Sequence, residues 1–135
     1  MVECKNGDWI SPTGGGGGGG RVTSWKTVGG DASDDYATVV TAIAAGEYSL
    51  ILTSSVTETT GASIPNADIN VIFESPSFTW TFNANIRLVN ASYTSAFRVY
   101  LNGGTIAWSP STGSFQPFGM SNSAGIFEIY GGGTL

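Results

Sequence analysis

The stretch that decides the fold is Asp31-Ala32-Ser33-Asp34-Asp35-Tyr36-Ala37-Thr38-Val39-Val40-Thr41-Ala42-Ile43-Ala44-Ala45-Gly46. Its large apolar residues recur at helical intervals, at Tyr36, Val39, Val40 and Ile43. We therefore predict one helix near residues 34–45, ended by Gly46. Four polar residues precede it and form the candidate helix-cap motif, because their oxygens can accept the free N–H groups of a first turn: Asp31, Ser33, Asp34 and Asp35.

Outward from this stretch, the chain predicts short strands separated by turn residues. It contains 34 Val, Ile and Thr residues and 16 aromatic residues but only five leucines, a composition typical of β structure. The predicted strand segments are RVTSWKTV (21–28), YSLILTSSVTET (48–59), ADINVIFES (67–75), FTWTF (78–82), NIRLVNA (85–91), FRVYLNGGTIAW (97–108) and IFEIYGGGTL (126–135). Strands this short and numerous argue against a helical bundle and a doubly wound sheet.

A late internal repeat indicates stacked coils. Residues 97–106 (FRVYLNGGTI) resemble residues 127–135 (FEIYGGGTL), which follow with one residue deleted. Similarity at a fixed interval is typical of solenoids. An antiparallel β-sandwich or jelly roll is the alternative, because it can contain the same number of strands.

Composition excludes several classes of function. The chain has 135 residues, enough for one domain, with a net charge of −5 and no histidine. Five basic residues cannot follow a nucleic-acid backbone, and without histidine a histidine-based triad is excluded. Cys4 is the only cysteine, so no intrachain disulfide forms. We expect no cofactor, metal site or nucleic-acid partner. No apolar run is long enough for a membrane helix and no secretion signal opens the chain, so we expect no membrane insertion and synthesis in a cytoplasm.

The amino-terminal part divides into two segments ahead of the β domain at residues 21–135. Residues 1–13 form a polar arm in which Trp9 and Ile10 are the large apolar pair and the candidate docking anchors, with an unstructured tail as the alternative. Gly14–Gly20 is the predicted linker. A phosphate-binding loop is the alternative there, but Arg21-Val22-Thr23 stands where Gly-Lys-Ser/Thr would be required.

The segment Gly30–Ile43 resembles the amino-terminal signature of the pectin-lyase-like right-handed β-helix family, G-D-G-x-x-D-D-T-x-A-I-x-x-A-I. The matching residues are Gly30, Asp31, Asp34, Asp35, Ala42 and Ile43, whereas Ala32 and Tyr36 depart from it. The resemblance implies an all-β fold, the start of a right-handed parallel β-helix whose first coil is capped by the helix.

That family comprises secreted polysaccharide lyases or hydrolases and the tailspike or tail-fibre proteins of bacteriophages. Without a secretion signal, and with an arm and a glycine tract before the signature, this chain is more similar to the phage branch. The resemblance then implies a homotrimer on the virion, made in the host cytoplasm, that binds other tail proteins through the arm and meets surface polysaccharide or another host receptor. A polysaccharide-degrading enzyme and a carbohydrate-binding adhesin module are the alternatives.

No catalytic residue is assigned. Four carboxylates stand singly among the predicted strands, where we expect them to be solvated: Glu58, Asp68, Glu74 and Glu128. The Asp31–Asp35 cluster could bind calcium, but its spacing is not that of an EF-hand loop. Neither Arg87 nor Arg98 has a lyase motif around it, so we expect any depolymerase activity in residues beyond this chain.

The aromatic residues allow two interpretations, a packed core or a surface for glycan stacking. Phe78, Trp80 and Phe82 alternate along one strand and must share one face, which would be an oligomer interface if it points outward. The last strand segment ends at Leu135 with no polar cap, so we expect a partner or further residues to cover it.

Overall fold

The structure is a computed structural model that describes residues 3–5, 8–10, 24–84, 86–88, 94–108, 119–120 and 125–135. Its strands are Glu3–Lys5 (β1), Asp8–Ile10 (β2), Lys26–Val28 (β3), Ser49–Leu52 (β4), Val56–Glu58 (β5), Ala62–Ser63 (β6), Ile69–Phe73 (β7), Thr79–Phe82 (β8), Ile86–Leu88 (β9), Ala96–Tyr100 (β10), Thr105–Trp108 (β11), Gly119–Met120 (β12) and Ile126–Tyr130 (β13). One helix, Val39–Ala44 (α1), lies between β3 and β4.

Three parallel sheets form the body of the protein. The long sheet has the order β13-β10-β7-β4-β3, the second sheet β11-β8-β5 and the third sheet β12-β9-β6. Successive strands of the chain thus visit the three sheets in turn before the path returns to the long sheet. This is a β-solenoid of about three turns, the all-β fold of a parallel β-helix start, consistent with the predicted right-handed winding.

The alternative of an antiparallel sandwich is wrong, because every strand pair described in these three sheets is parallel. Among the described strands, only β1 and β2 pair antiparallel, with Cys4 opposite Trp9.

The internal repeat corresponds to two stacked coils, as predicted. Phe97 pairs with Phe127 and Tyr100 with Tyr130, so β10 and β13 lie in register across an interval of 30 residues. The deleted residue shifts the next pair, and Thr105 bridges to Thr134. Asn102 and Gly103 turn the chain between β10 and β11 with φ angles of 49° and 83°, a conformation that asparagine and glycine tolerate best.

The core lies inside the coils and consists of residues that alternate along each strand. In β4 the inward residues Leu50 and Leu52 are fully buried, as are Trp80 and Phe82 in β8. Helix α1 packs against β3 and β5 and closes the first coil. Its buried residues are Val39, Val40, Ala42 and Ile43. The helix therefore replaces the coil that would otherwise cover this end.

The helix is shorter than predicted and begins later. Residues 31–35 form turns, and Tyr36 makes a parallel bridge with Val28 before α1 starts at Val39. Because Tyr36 pairs with β3, it lies outside the helix, although its spacing from Val39 and Val40 fits a helical pattern.

Candidate functional site

The acidic turn before the helix is hydrogen-bonded to Thr27 in β3 and to Thr53, which directly follows β4. Asp34 accepts hydrogen bonds from the hydroxyl of Thr53 (2.6 Å) and from the backbone N–H of Asp31 (3.1 Å). A Cβ atom at Gly29 would collide with the Asp34 carboxylate and the Thr53 hydroxyl, so glycine is needed for this close approach. Asp34 thus stabilises the path into the solenoid.

Asp35 makes a second link, to β3. Its carboxylate accepts hydrogen bonds from the backbone N–H of Thr27 (2.9 Å) and from the Thr27 hydroxyl (3.2 Å), and Lys26 Nζ lies 3.9 Å away. The Thr27 backbone hydrogen bond is the main cause of a lowered pKa for Asp35, and the Thr27 hydroxyl and the Lys26 charge act in the same direction. These carboxylates are therefore occupied by local structure.

The capping role predicted for Asp31, Ser33, Asp34 and Asp35 belongs to other residues. Thr38 is the N-cap, and it forms a reciprocal capping box with Thr41 in which each side chain accepts from the other's backbone N–H. The first turn of α1 contains no acidic residue. The predicted motif lies before the helix, and its residues form the turn that precedes Thr38.

A carboxylate from the first coil binds the free N–H groups of the helix. Glu58 Oε1 accepts from Val39 N–H at 2.9 Å and Glu58 Oε2 from Val40 N–H at 3.3 Å. Glu58 Oε1 also accepts from the indole N–H of Trp80 at 2.9 Å. The cluster of Glu58, α1 and Trp80 therefore joins the capping helix to two successive coils.

Glu58 is buried, with only 1% of its surface exposed. Loss of hydration raises the pKa of the Glu58 carboxyl above its ordinary value, although the hydrogen bonds from Trp80, Val39 and Val40 oppose that shift. The prediction that Glu58 is solvated is wrong. Strand alternation contains the missed signal, because Glu58 lies two residues after the buried Val56 and must share its inward face.

The candidate oligomer face at Phe78, Trp80 and Phe82 points inward. Trp80 and Phe82 are fully buried, with ring centroids 4.5 Å apart, and Phe78 packs against the core. The prediction of a shared face is confirmed, but the prediction that this face is an oligomer interface is wrong. Alternation defines which residues lie together and leaves open which side of the strand faces the interior.

The outward side of the long sheet carries a column of apolar residues. Parallel pairing aligns Ile51 with Ile72, Ile72 with Tyr100 and Tyr100 with Tyr130. The Tyr100 and Tyr130 rings lie 5.3 Å apart at an angle of 56°, and Tyr130 is 49% exposed. We call these four residues the outward apolar column.

A polar column runs beside it, and the second sheet has a different outward face. Arg98 Nε donates to Glu128 Oε2 at 2.8 Å across two coils. On the second sheet, the outward positions align Thr57 with Thr81 and Thr79 with Thr105, so this face consists of small uncharged side chains. Apolar contacts outside the solenoid are thus concentrated on the long sheet.

The remaining predicted residues lie in three places. Asp68 Oδ1 accepts from the backbone N–H of Ala96 at 2.8 Å, so it connects neighbouring coils. Trp9 and Ile10 belong to β2, and their docking role stays a prediction. The predicted linker Gly14–Gly20 lies outside the described residues.

The described residues contain neither a metal-binding group of side chains nor a membrane-spanning helix. In that part of the chain no three or more Cys, Asp or Glu side chains are grouped so that they could hold a metal ion. Its helix, six residues long, could not span a bilayer, and no other described segment forms a spanning helix.

Comparison with known proteins found no matching family model, curated protein or solved structure.

Proposed function

We propose that this chain is a structural virion component, the virion-proximal part of a phage tailspike or tail fibre used in host attachment. The observation that carries the proposal is the β-solenoid with its first coil closed by α1. This fold fits tailspike and adhesin-like proteins in general. Stacked parallel coils suit a structural role, because each coil packs against its neighbours and such a stack can be continued by further coils.

The proposed attachment point is the arm at residues 1–13, with Trp9 and Ile10 as anchors for another virion protein. Aromatic and aliphatic anchors dominate the energetics of small interfaces. The buried Glu58 carboxyl supports a structural role for this cluster. Its donors are backbone N–H groups, the indole of Trp80 and the side chain of Thr38, all of which belong to the fold itself.

The experiment is mass spectrometry of purified particles from cells that produce the chain, with the Trp9→Ala, Ile10→Ala double variant alongside. We expect the wild-type chain in particles at a fixed ratio to other tail proteins, and the double variant to fold but to be missing from them. Lys5→Ala, in the paired strand β1, is the matched control and should be incorporated normally. Absence of the wild-type chain from particles would overturn the proposal.

The proposed assembly is a homotrimer. The exposed parts of the outward apolar column and Ile126, which is 49% exposed, give the long sheet an apolar surface that a second copy can bury. Light scattering at micromolar concentration should give three times the 13.9 kDa chain mass. A monomer mass would contradict the trimer without affecting the particle experiment.

A carbohydrate-binding adhesin is the second candidate, and the exposed Tyr130 beside Tyr100 favours it because tyrosine rings can stack on sugars. Saturable binding to capsular or lipopolysaccharide glycans, lost in Tyr130→Ala, would select this function. Release of reducing ends or unsaturated uronates from the same glycans would instead select a polysaccharide-degrading enzyme.

A further inference from the structure

Strand β13 is the last strand of the long sheet, and among the described residues it pairs only with β10. The N–H of Ile126 and the C=O of Tyr130 are hydrogen-bonded on the β10 side. Backbone groups of successive strand residues point to opposite neighbours, so the N–H and C=O groups of Phe127 and Ile129 point away from β10. We call this side of β13 the open edge.

Apolar side chains are exposed at the same end of the solenoid. Phe127 and Ile129 point inward like Phe97 and Val99 of β10, but they are only partly buried, whereas Phe97 and Val99 are buried almost completely. A strand seated on the open edge would cover the inward pair and supply partners for its backbone groups. The large apolar side chains that are exposed in the described part of the chain all lie in β11 or from β13 onward: Trp108, Ile126, Tyr130 and Leu135.

Glu128 determines which charge the open edge prefers. It is the middle residue of β13, its side chain is half exposed, and its Oε2 accepts from Arg98 Nε of the preceding coil. This described contact leaves Oε1 for a further donor, and the net charge of −5 also favours a basic segment. Like charges on directly opposed residues repel, which disfavours an acidic strand and also opposes pairing of two copies about Glu128.

We propose that the open edge binds an extended strand of another protein, with a basic residue beside Glu128 and apolar or aromatic residues on either side. Strand β10 shows the required pattern, because its sequence AFRVY pairs with the other side of β13 and sets Arg98 against Glu128. Main-chain hydrogen bonds supply the affinity in this mode of binding, and side chains select the partner. This inference goes beyond the proposed function and does not depend on it.

A synthetic peptide that copies β10 tests the proposal on the full chain. Acetylated and amidated AFRVY is added to isotope-labelled protein, with AFEVY as the matched control, and amide hydrogen exchange is followed by NMR. Exchange at Phe127 and Ile129 should slow with AFRVY, whereas the amides of Glu128 and Tyr130, which face β10, should change little. AFEVY should bind about fivefold more weakly, because a repulsive charge pair replaces an attractive one.

Substitution of Glu128 should change this preference. Glu128→Lys should bind AFEVY more tightly than AFRVY, and Glu128→Gln, which keeps the side-chain volume, should bind the two peptides within about twofold of each other. Glu74→Lys is the matched control, because it makes the same change in net charge at an exposed residue after β7. This control should keep the wild-type preference.

Three results would overturn the proposal. Equal binding of AFRVY and AFEVY to the wild type would show that Glu128 does not select the strand. Unchanged exchange at Phe127 and Ile129 with peptide bound would place the peptide elsewhere. Slow exchange at these two amides without peptide would show that the open edge is already covered, by a second copy if the exchange slows further as protein concentration rises and by the chain itself if it does not.

Discussion

The capped first coil and the last described coil place residues at equivalent inward positions but bury them differently. Glu58, Phe82 and Trp108 occupy one inward column of the second sheet, and their exposed fractions are 1%, 0% and 48%. In the long sheet, Leu50 of β4 is fully buried, whereas Ile129 of β13 is only partly buried. Alternation along a strand determines which residues point inward. An inward residue becomes fully buried only when a coil or the helix covers it on both sides.

The comparison also explains why the two regions need different side chains. Under α1, even a carboxylate is accommodated inside the solenoid, because the helix and Trp80 supply three N–H donors to Glu58. The described part of the last coil has no equivalent cover, and Trp108 and Tyr130 are each about half exposed. Five predictions test this difference, in order of expected effect.

The largest difference is expected within the inward column itself. Phe82→Ala should lower the free energy of unfolding by about 3–5 kcal/mol, because it leaves a cavity in a fully packed position. Trp108→Ala, at the equivalent position of the last coil, should cost about 1 kcal/mol or less. Urea unfolding followed by circular dichroism measures both. Equal losses would show that Trp108 is buried in solution.

Removal of the Glu58 carboxylate should have the next largest effect. Glu58→Ala leaves the N–H groups of Val39, Val40 and Trp80 without their acceptor, and we expect a loss of about 3 kcal/mol in the free energy of unfolding. Glu58→Gln keeps one acceptor oxygen and the side-chain volume and should cost about 1 kcal/mol. If both variants lost the same stability, hydrogen bonding to the helix would not explain how Glu58 stabilises the fold.

The same pair of proteins gives a pH test with a defined sign. Because the folded-state pKa of Glu58 is raised, its contribution to stability is fully present below the ordinary value of 4.5 and is lost as pH rises through the folded-state pKa. The stability of the wild type relative to Glu58→Gln should therefore increase as the solution is acidified from neutral pH. If this stability difference decreased on acidification, the hydrogen bonds to Glu58 would lower its pKa by more than burial raises it.

Gly104, in the turn between β10 and β11, should tolerate substitution less well than Gly30, which precedes the helix. A Cβ atom on Gly104 would lie 2.9 Å from the carbonyl oxygen of Phe78 and 3.0 Å from that of Leu101, so backbone must shift. Gly104→Ala should cost about 1–3 kcal/mol. At Gly30, Ser54 Oγ would be 4.0 Å away, and Gly30→Ala should stay within about 0.5 kcal/mol. Thermal unfolding compares the two variants, and equal midpoint temperatures would show that the turn at Gly104 adjusts to a Cβ atom without loss of stability.

The smallest effect is expected at Asp35, whose pKa is shifted in the opposite direction to that of Glu58. Its pKa is lowered chiefly by the backbone hydrogen bond from Thr27, so its contribution is present above the ordinary value of 3.8 and is lost as pH falls through the folded-state pKa. The small stability advantage of wild type over Asp35→Asn should disappear in acid. An advantage that grew on acidification would contradict the lowered pKa.

Much of the fold could be predicted because it rests on local patterns. The alternation in FTWTF and ADINVIFES corresponds to β8 and β7, and the repeat at residues 97–106 and 127–135 gave the pairing of β10 with β13. The predicted helix begins too early in the chain, because an acidic turn and the start of a helix contain the same residue types. Asp34 and Asp35 satisfy strand and turn donors, and Thr38 performs the capping.

The Glu58 cluster could not be predicted in full, because its partners come from separate coils. Val39 lies 19 residues before Glu58, and Trp80 lies 22 residues after it. Alternation alone indicated an inward Glu58, but the donors that make this position acceptable depend on coil lengths that no local pattern specifies. The inward direction of Phe78, Trp80 and Phe82 depends on the same long-range information.

The parallel stacking of coils has a mechanical consequence. Hydrogen bonds between coils run along the solenoid axis, so tension applied along that axis loads each ladder directly, one coil interface after another. Failure should begin where an interface has the fewest additional links, and the cap end is reinforced by Glu58 across α1, β5 and Trp80. Under force, the protein should therefore unfold first at the β13 end, and its helix-capped end should stay folded longest.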